Sequence, residues 1–168
     1  VLAHLLACIF DAQAARGRGN LAVDAVMYMA SALGDDGRVW IAAAIVRSRH
    51  QPEPMRHLGR QMAWLGIESA LVNGPAKGVV RRQRPVPIVE HRFPLRRPGN
   101  SSFPSGHAAS AATMATLLSE DGLAPLWWTI ALTIAASRVY VGVHHATDVA
   151  AGLAIGTAIG YAARHIRL

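Results

Sequence analysis

Apolar positions along this chain gather into helix-sized blocks divided by short stretches of Arg, Gly, Pro, Asp and Glu. Val1 to Ala15 is apolar apart from a few polar residues such as His4, Asp11 and Gln13, and runs into Arg16-Gly17-Arg18-Gly19. It predicts a surface-lying amphipathic helix, too short and too polar at its end to cross a bilayer. Leu21 to Leu33 predicts a second short helix, closed by Gly34-Asp35-Asp36-Gly37. Val39 to Val46 is apolar until Arg47-Ser48-Arg49-His50 and is expected to be the first membrane helix. Gln51 to Arg60 reads as a polar, basic turn with Pro52 and Pro54. Gln61 to Pro75 predicts a helix in which Glu68, the lone interior acid, is a hydrogen-bonded packing residue, and Gly74-Pro75 marks the approach to the candidate site. Val80 to Phe103 is too polar and proline-rich for a span and predicts a loop carrying Arg92, Arg96 and Arg97 toward an anionic headgroup. A solvated basic loop explains those three arginines equally well.

Phe103 to Leu118 predicts a helix of small residues, ended by Ser119-Glu120-Asp121-Gly122. Leu123 to Ser137 predicts the next, with Pro125 in its first turn and Trp127 and Trp128 as interface anchors or core. The last, His145 to Ala163, places Gly152, Gly156 and Gly160 four apart, a ladder that lets a neighbouring helix approach closely. A homodimer through this ladder is one arrangement it permits. Arg164, His165 and Arg167 close the chain.

Composition sharpens this picture. At 168 residues the chain is long enough for one domain, 1–168, with residues 1–36 as an N-terminal region of short helices. Mean hydropathy is only +0.24 and much of the 52% hydrophobic content is alanine, so no window approaches about 20 strongly apolar residues. Low charge outside the loops, Trp at a helix edge and the glycine ladder nonetheless favour a membrane-embedded bundle over a soluble one. The net charge of +7 does not point to nucleic acid, because the basic residues neither line one helix nor alternate with aromatics. An anionic substrate and a membrane surface account for it better. Cys8 is the single cysteine, which excludes an intrachain disulfide. No cleavable signal is recognisable at the start, so internal segments are expected to supply the membrane address.

Three stretches carry candidate chemistry. In Ser137 to Asp148, Arg138 precedes His144 by six residues and Asp148 follows it by four. A helix beginning near His144 would let Asp148 accept the Nδ1 proton and leave Nε2 free to attack, while the forked, permanently charged Arg138 suits a phosphate. Asn100 to His107 reads as a helix start, with Ser101 or Ser102 as cap, Pro104 in the first turn and amides bared by Gly106 to hold an anion. His107 would then stand beside the anion as a proton donor. The third stretch sets Lys77 seven positions before Arg84-Pro85, and of the 17 Lys and Arg residues Lys77 is the only lysine. His50, His57, His91 and His165 have no partners at metal-ligand spacing, and His145 is expected to be structural.

Lys77 with Arg84-Pro85, then Pro104-Ser105-Gly106-His107, then Ser137-Arg138 with His144 and Asp148, resembles the three-part signature of the type 2 phosphatidic acid phosphatase superfamily. That superfamily also includes vanadium haloperoxidases and bacterial acid phosphatases. The signature spans residues 77–148 in order and at family-like spacing. The resemblance implies an all-α bundle, here with about five to six helices, and a phosphohydrolase needing no metal or cofactor that works through a phosphohistidine. It makes His144 the nucleophile, Asp148 its partner and His107 the general acid, with Lys77, Arg84, Ser105, Gly106 and Arg138 around the phosphate. Two histidines in opposite protonation states predict a bell-shaped pH profile.

If Val39, Gln61, Phe103, Leu123 and His145 each open a crossing, all these residues fall on one face, which the resemblance implies is the extracytoplasmic face of a bacterial cytoplasmic membrane. The expected substrate is a lipid phosphate: a polyprenyl phosphate or diphosphate such as undecaprenyl diphosphate, phosphatidate or phosphatidylglycerophosphate. Small actinobacterial chains of the family resemble decaprenyl-phosphoryl-phosphoribose phosphatases, which adds that lipid. A soluble broad-specificity acid phosphatase, a vanadate-dependent haloperoxidase and a non-catalytic lipid-binding subunit are the competing readings.

Overall fold

The structure, a computed structural model, describes residues 18–86, 93–97 and 99–166. The segment Val1 to Ala15, with Cys8, and the residues Arg92 and Arg167 lie outside the described residues. Within them the chain forms six helices and no strand: α1 (Leu21–Leu33), α2 (Arg38–Ser48), α3 (Pro54–Leu71), α4 (Gly106–Leu118), α5 (Ala124–Tyr140) and α6 (Ala146–His165). α3 runs on through a π turn (Val72–Ala76) that accommodates Pro75, and a last turn (Lys77–Val79).

Local signals set most boundaries. Asn20 caps α1 by accepting from the Ala22 and Val23 amides. Pro125 occupies the first turn of α5, where its missing N–H costs nothing. α6 opens on a capping box in which the His145 side chain accepts from the Asp148 amide while the Asp148 carboxylate accepts from the His145 amide. That gives His145 its structural role.

Two expectations need correction. The turn after α2 is confined to 51–53, because Pro54 begins α3 and Arg56, His57 and Arg60 lie on helix. Ser105, not Ser101 or Ser102, is the cap residue of α4, and Pro104 lies before the helix. Ser101 instead donates its hydroxyl to the Val80 carbonyl and accepts from the Arg82 amide, while the Ser102 amide donates to the Arg82 carbonyl. α2 has 11 residues, about 16 Å of helix, against the ~30 Å hydrocarbon core that a single crossing requires. Among the described residues only α6 is long and apolar enough to cross a bilayer by itself.

α4 is the central post of the bundle. Ten of its residues are buried, half of them alanine; the Thr113 hydroxyl donates across to the Gly156 carbonyl of α6 and the Thr116 hydroxyl back to the Ala112 carbonyl. The glycine ladder of α6 lies against it. A Cβ on Gly152 would come 2.4 Å from the Ser105 carbonyl oxygen, and one on Gly156 would come 2.1 Å from that of Ala109. Either is a hard clash, so only glycine permits this backbone-on-backbone approach. The ladder is thus filled within the chain and offers no surface to a second copy. Around α4 the core takes in Trp40, Trp64, Met114, Leu117 and Trp127, so Trp127 is a packing residue and not an interface anchor.

At the end of the bundle away from the candidate site, Arg60 pairs with Glu120 at 2.7 Å and donates to the Ala163 carbonyl, and Arg164 lies 3.8 Å from the same Glu120. At the other end α1 is moored to the close of α5. Arg18 donates to the Tyr140 carbonyl, the Tyr140 hydroxyl bonds Asp24 at 2.7 Å, and Ser31 accepts from Arg138.

Candidate active site

Five chain segments meet at one cavity of about 610 Å³. Lys77 comes from the end of α3, His107 from the first turn of α4, Arg138 from the last turn of α5, and Arg84 and His144 from the loops after α3 and α5. Ile41, Met62 and Leu65 form an apolar wall opposite. Of the eight residues predicted from sequence, these five and Gly106 line the cavity, while Ser105 and Asp148 stand behind it, both fully buried.

Arg138 is 1% exposed, yet only one nitrogen of its guanidinium is matched, by Ser31. Among the described residues its Nε and Nη2 are buried without a partner. A buried cation with two unmatched donors at a cavity wall is a costly arrangement unless an anion completes it. Arg84 is held more fully: Nε donates to the Asn100 carbonyl, Nη2 to Asn100 Oδ1 at 3.0 Å, and Nη1 to the Val143 carbonyl at 3.0 Å. Lys77 reaches back one turn to Asn73 Oδ1 at 2.7 Å.

His144 is 3% exposed. Its Nε2 lies 3.2 Å from Arg84 Nη1, and since arginine has no lone pair to offer, Nε2 is the acceptor and the ring proton sits on Nδ1. Nδ1 faces Asp148 Oδ2 at 3.7 Å, longer than a hydrogen bond. The carboxylate is drawn elsewhere: Oδ2 accepts the His145 amide at 2.9 Å and Oδ1 accepts Arg82 Nη1 at 2.8 Å. Sequence spacing therefore found the pair but not the two groups competing for the acid. Burial lowers the His144 pKa to about 4, helped by the Arg84 and Arg138 charges and opposed by Asp148, so the ring is neutral at ordinary pH.

His107 Nε2 donates to Asp35 Oδ1 at 2.8 Å. Asp35 escaped the sequence reading because 72 residues separate the two, and the Gly34-Asp35-Asp36-Gly37 stretch reads as no more than a helix terminator. Arg82 and Ser31 were missed likewise. Asn73 and Lys77, by contrast, stand four apart on one helical run, a spacing that announces contact. Of the loop arginines, Arg96 faces the cavity but is paired with Asp36 at 2.8 Å, and Arg97 donates to the Gly142 carbonyl. Glu68, fully buried, accepts from Ser110 at 2.5 Å, in keeping with its expected packing role.

In chemical terms the cavity presents three cations, a neutral imidazole whose Nε2 is covered by Arg84 alone among the described residues, and a second imidazole held by a carboxylate. That combination can bind a tetrahedral oxyanion, attack it and donate a proton.

The chain is 39% identical over 85 residues to the decaprenylphosphoryl-5-phosphoribose phosphatase of Mycobacterium tuberculosis, a match covering 50% of this chain and 47% of that protein. The Mycolicibacterium smegmatis protein of the same name is 32% identical over 127 residues, 73% of this chain and 67% of the relative. An undecaprenyl-diphosphatase of Sulfolobus acidocaldarius is 36% identical over 112 residues, 63% of this chain and 53% of the relative. The matched stretch thus spans about half to two thirds of these relatives' length. In fold, the chain matches the transmembrane PAP2 type phosphatidylglycerolphosphate phosphatase of Bacillus subtilis with a TM-score of 0.78 at 22% identity, covering 98% of this chain and 85% of the other. It matches Aquifex aeolicus LpxE with a TM-score of 0.74 at 26% identity, covering 93% of each chain. The PAP2 superfamily profile matches residues 61–168, well over half of the chain and every motif residue named above, and the chain belongs to that superfamily.

Proposed function

We propose that this chain is a membrane lipid phosphatase that cleaves a phosphate monoester or diphosphate through a phosphohistidine on His144. The observation that carries the reading is the buried Arg138, whose two unmatched donors meet Lys77, Arg84 and the neutral His144 at one cavity. Phosphate oxygens satisfy those donors and draw Arg84 Nη1 off His144 Nε2. The freed lone pair attacks phosphorus, the bond to the leaving oxygen breaks, and His107 protonates that oxygen. Water then attacks the phosphohistidine while His107 takes up its proton, which returns both histidines to their starting states. The arginines and lysine neutralise the equatorial oxygens.

The outward faces of the helices support a membrane location. Leu21, Met29 and Leu33 on α1, Val46 on α2, Leu71 on α3 and Leu132 on α5 are all about half exposed or more, while the large buried side chains such as Trp40, Met114 and Leu117 gather on and around an alanine-rich α4. Such a belt is suited to lipid. The apolar wall of Ile41, Met62 and Leu65 beside the cations fits a substrate with a hydrocarbon tail attached to its phosphate. The relatives named for decaprenylphosphoryl-5-phosphoribose and undecaprenyl diphosphate make polyprenyl substrates the first to test. We place the site on the extracytoplasmic face of a multi-pass protein, with Arg47, Arg49, Arg56, Arg60 and Arg164 at the other side.

The deciding experiment measures phosphate release in detergent, with chelator present, from polyprenyl phosphate, polyprenyl diphosphate, decaprenylphosphoryl-5-phosphoribose, phosphatidate and phosphatidylglycerophosphate. Native protein is expected to turn over at least one lipid, and His144→Ala to lose roughly three orders of magnitude or more. Activity indifferent to His144, or none on any lipid, rejects the proposal.

A further inference from the structure

The last turn of α1 and the reversal that leads into α2 lie outside the stretch that matches the family profile, yet they touch the candidate site at three points. Ser31 accepts from Arg138, Gly34 abuts the His107 ring, and Asp35 Oδ1 accepts from His107 Nε2 at 2.8 Å. A Cβ on Gly34 would lie 2.8 Å from His107 Cδ2 and 2.9 Å from Ile134, so the ring is clamped at its edge as well as at its nitrogen. Asp36 and Gly37 both adopt left-handed φ, 55° and 68°, and Asp36 pairs outward with Arg38 and Arg96. This reversal sets the two adjacent carboxylates to different work, Asp36 tying down the turn and Asp35 facing the histidine.

We propose that Asp35 is a positioning residue for proton transfer: by accepting from His107 Nε2 it fixes the ring and aims the Nδ1 proton at the leaving oxygen. The inference rests on the phosphatase reading above. A protonated imidazole has two N–H groups, and with one committed to Asp35 only the other is left to donate. Asp35 is equipped to stay ionised. Burial pushes its carboxyl up, but the His107 hydrogen bond and the His107, Arg138 and Arg96 charges together bring it below the ordinary carboxylate range. The other charges near His107 are Arg138 from α5 and Lys77 from the end of α3, with His144 across the same cavity. Both cations oppose a proton on the ring, which leaves Asp35 as the favourable neighbour.

Leaving-group chemistry separates this role from a merely structural one. A lipid alkoxide needs a proton to depart, whereas p-nitrophenolate leaves without one. With full-length protein in detergent, Asp35→Asn is expected to lower kcat on the preferred lipid phosphate about 30-fold or more with KM nearly unchanged. On p-nitrophenyl phosphate the loss should stay below about threefold, and the basic limb of the lipid pH profile should move to lower pH. Asp35→Glu should recover part of the lipid activity. In a His107→Ala background, Asp35→Asn should cost nothing further, because the two act as one unit.

Equal losses on both substrates, additive losses in the double variant, or no loss would overturn the proposal. Should Asp35→Asn fail to fold in detergent, Asp35→Glu carries the same leaving-group comparison. Failure of the parent reading shows separately, as absence of native turnover or indifference to His144→Ala.

Discussion

Arg138 and His144 express opposite uses of burial at the scale of single residues. Burying Arg138 with two donors unmatched stores binding energy for an anion, so Arg138→Ala is expected to lower kcat/KM by about 10²- to 10³-fold. Arg138→Lys should recover little, since an ammonium cannot fill the fork. Burying His144 keeps its lone pair available: with its pKa lowered to about 4 the ring is neutral above that pH and blocked by protonation below it. The acidic limb of kcat/KM in the free enzyme should accordingly fall near pH 4. Arg84→Gln removes one of the charges that oppose protonation and should move that limb upward, measurable even at reduced activity. The motif spacing made Arg138, His144 and His107 legible before any coordinates. Asp35 and Arg82 were not, because a histidine or an aspartate does not reveal in sequence which distant group will take its other hydrogen bond. Asp148 shows the cost of that blindness: the spacing of four is right, but Arg82 and the His145 amide hold the carboxylate 3.7 Å from the imidazole.

At the scale of elements, α1 was read from Leu21 to Leu33 and forms over those residues, because an asparagine cap and a closing glycine bracket an apolar run. α3 began earlier than its polar first turns suggested. Arg56, His57 and Arg60 look like loop by composition, but Pro54 has the fixed φ of a first helical position, and Arg60 serves the Glu120 pairing from a helical surface. The ladder of α6 was visible as a spacing, whereas its partner was not; any helix lined by small residues could have fitted. Gly156→Ala tests the contact: the added methyl meets the Ala109 carbonyl and should cost about 1–3 kcal/mol or more, read as a lower unfolding temperature in detergent. Activity should fall as well, since the shift displaces the start of α4.

At the scale of the whole molecule, the apolar belt suits a bundle surrounded by lipid, with α6 the one helix among the described residues long and apolar enough to span unaided. Leu132, midway along α5 and 50% exposed, sits where lipid would meet it. Leu132→Lys should raise the cost of insertion by about 2.5–3.5 kcal/mol and lower the yield in membrane fractions. The close seating of α6 on α4 has a mechanical meaning of its own. His107 stands in the first turn of one helix and His144 just before the other, and the Ser105 amide donates to the Asp148 carbonyl across the seam at 3.0 Å. Backbone pressed on backbone has no side-chain rotamers through which to yield, so the pair behaves as a rigid caliper with one histidine on each jaw. On the phosphatase reading, swelling or thinning of a surrounding bilayer alters how a lipid reaches the jaws while leaving the gap between them unchanged.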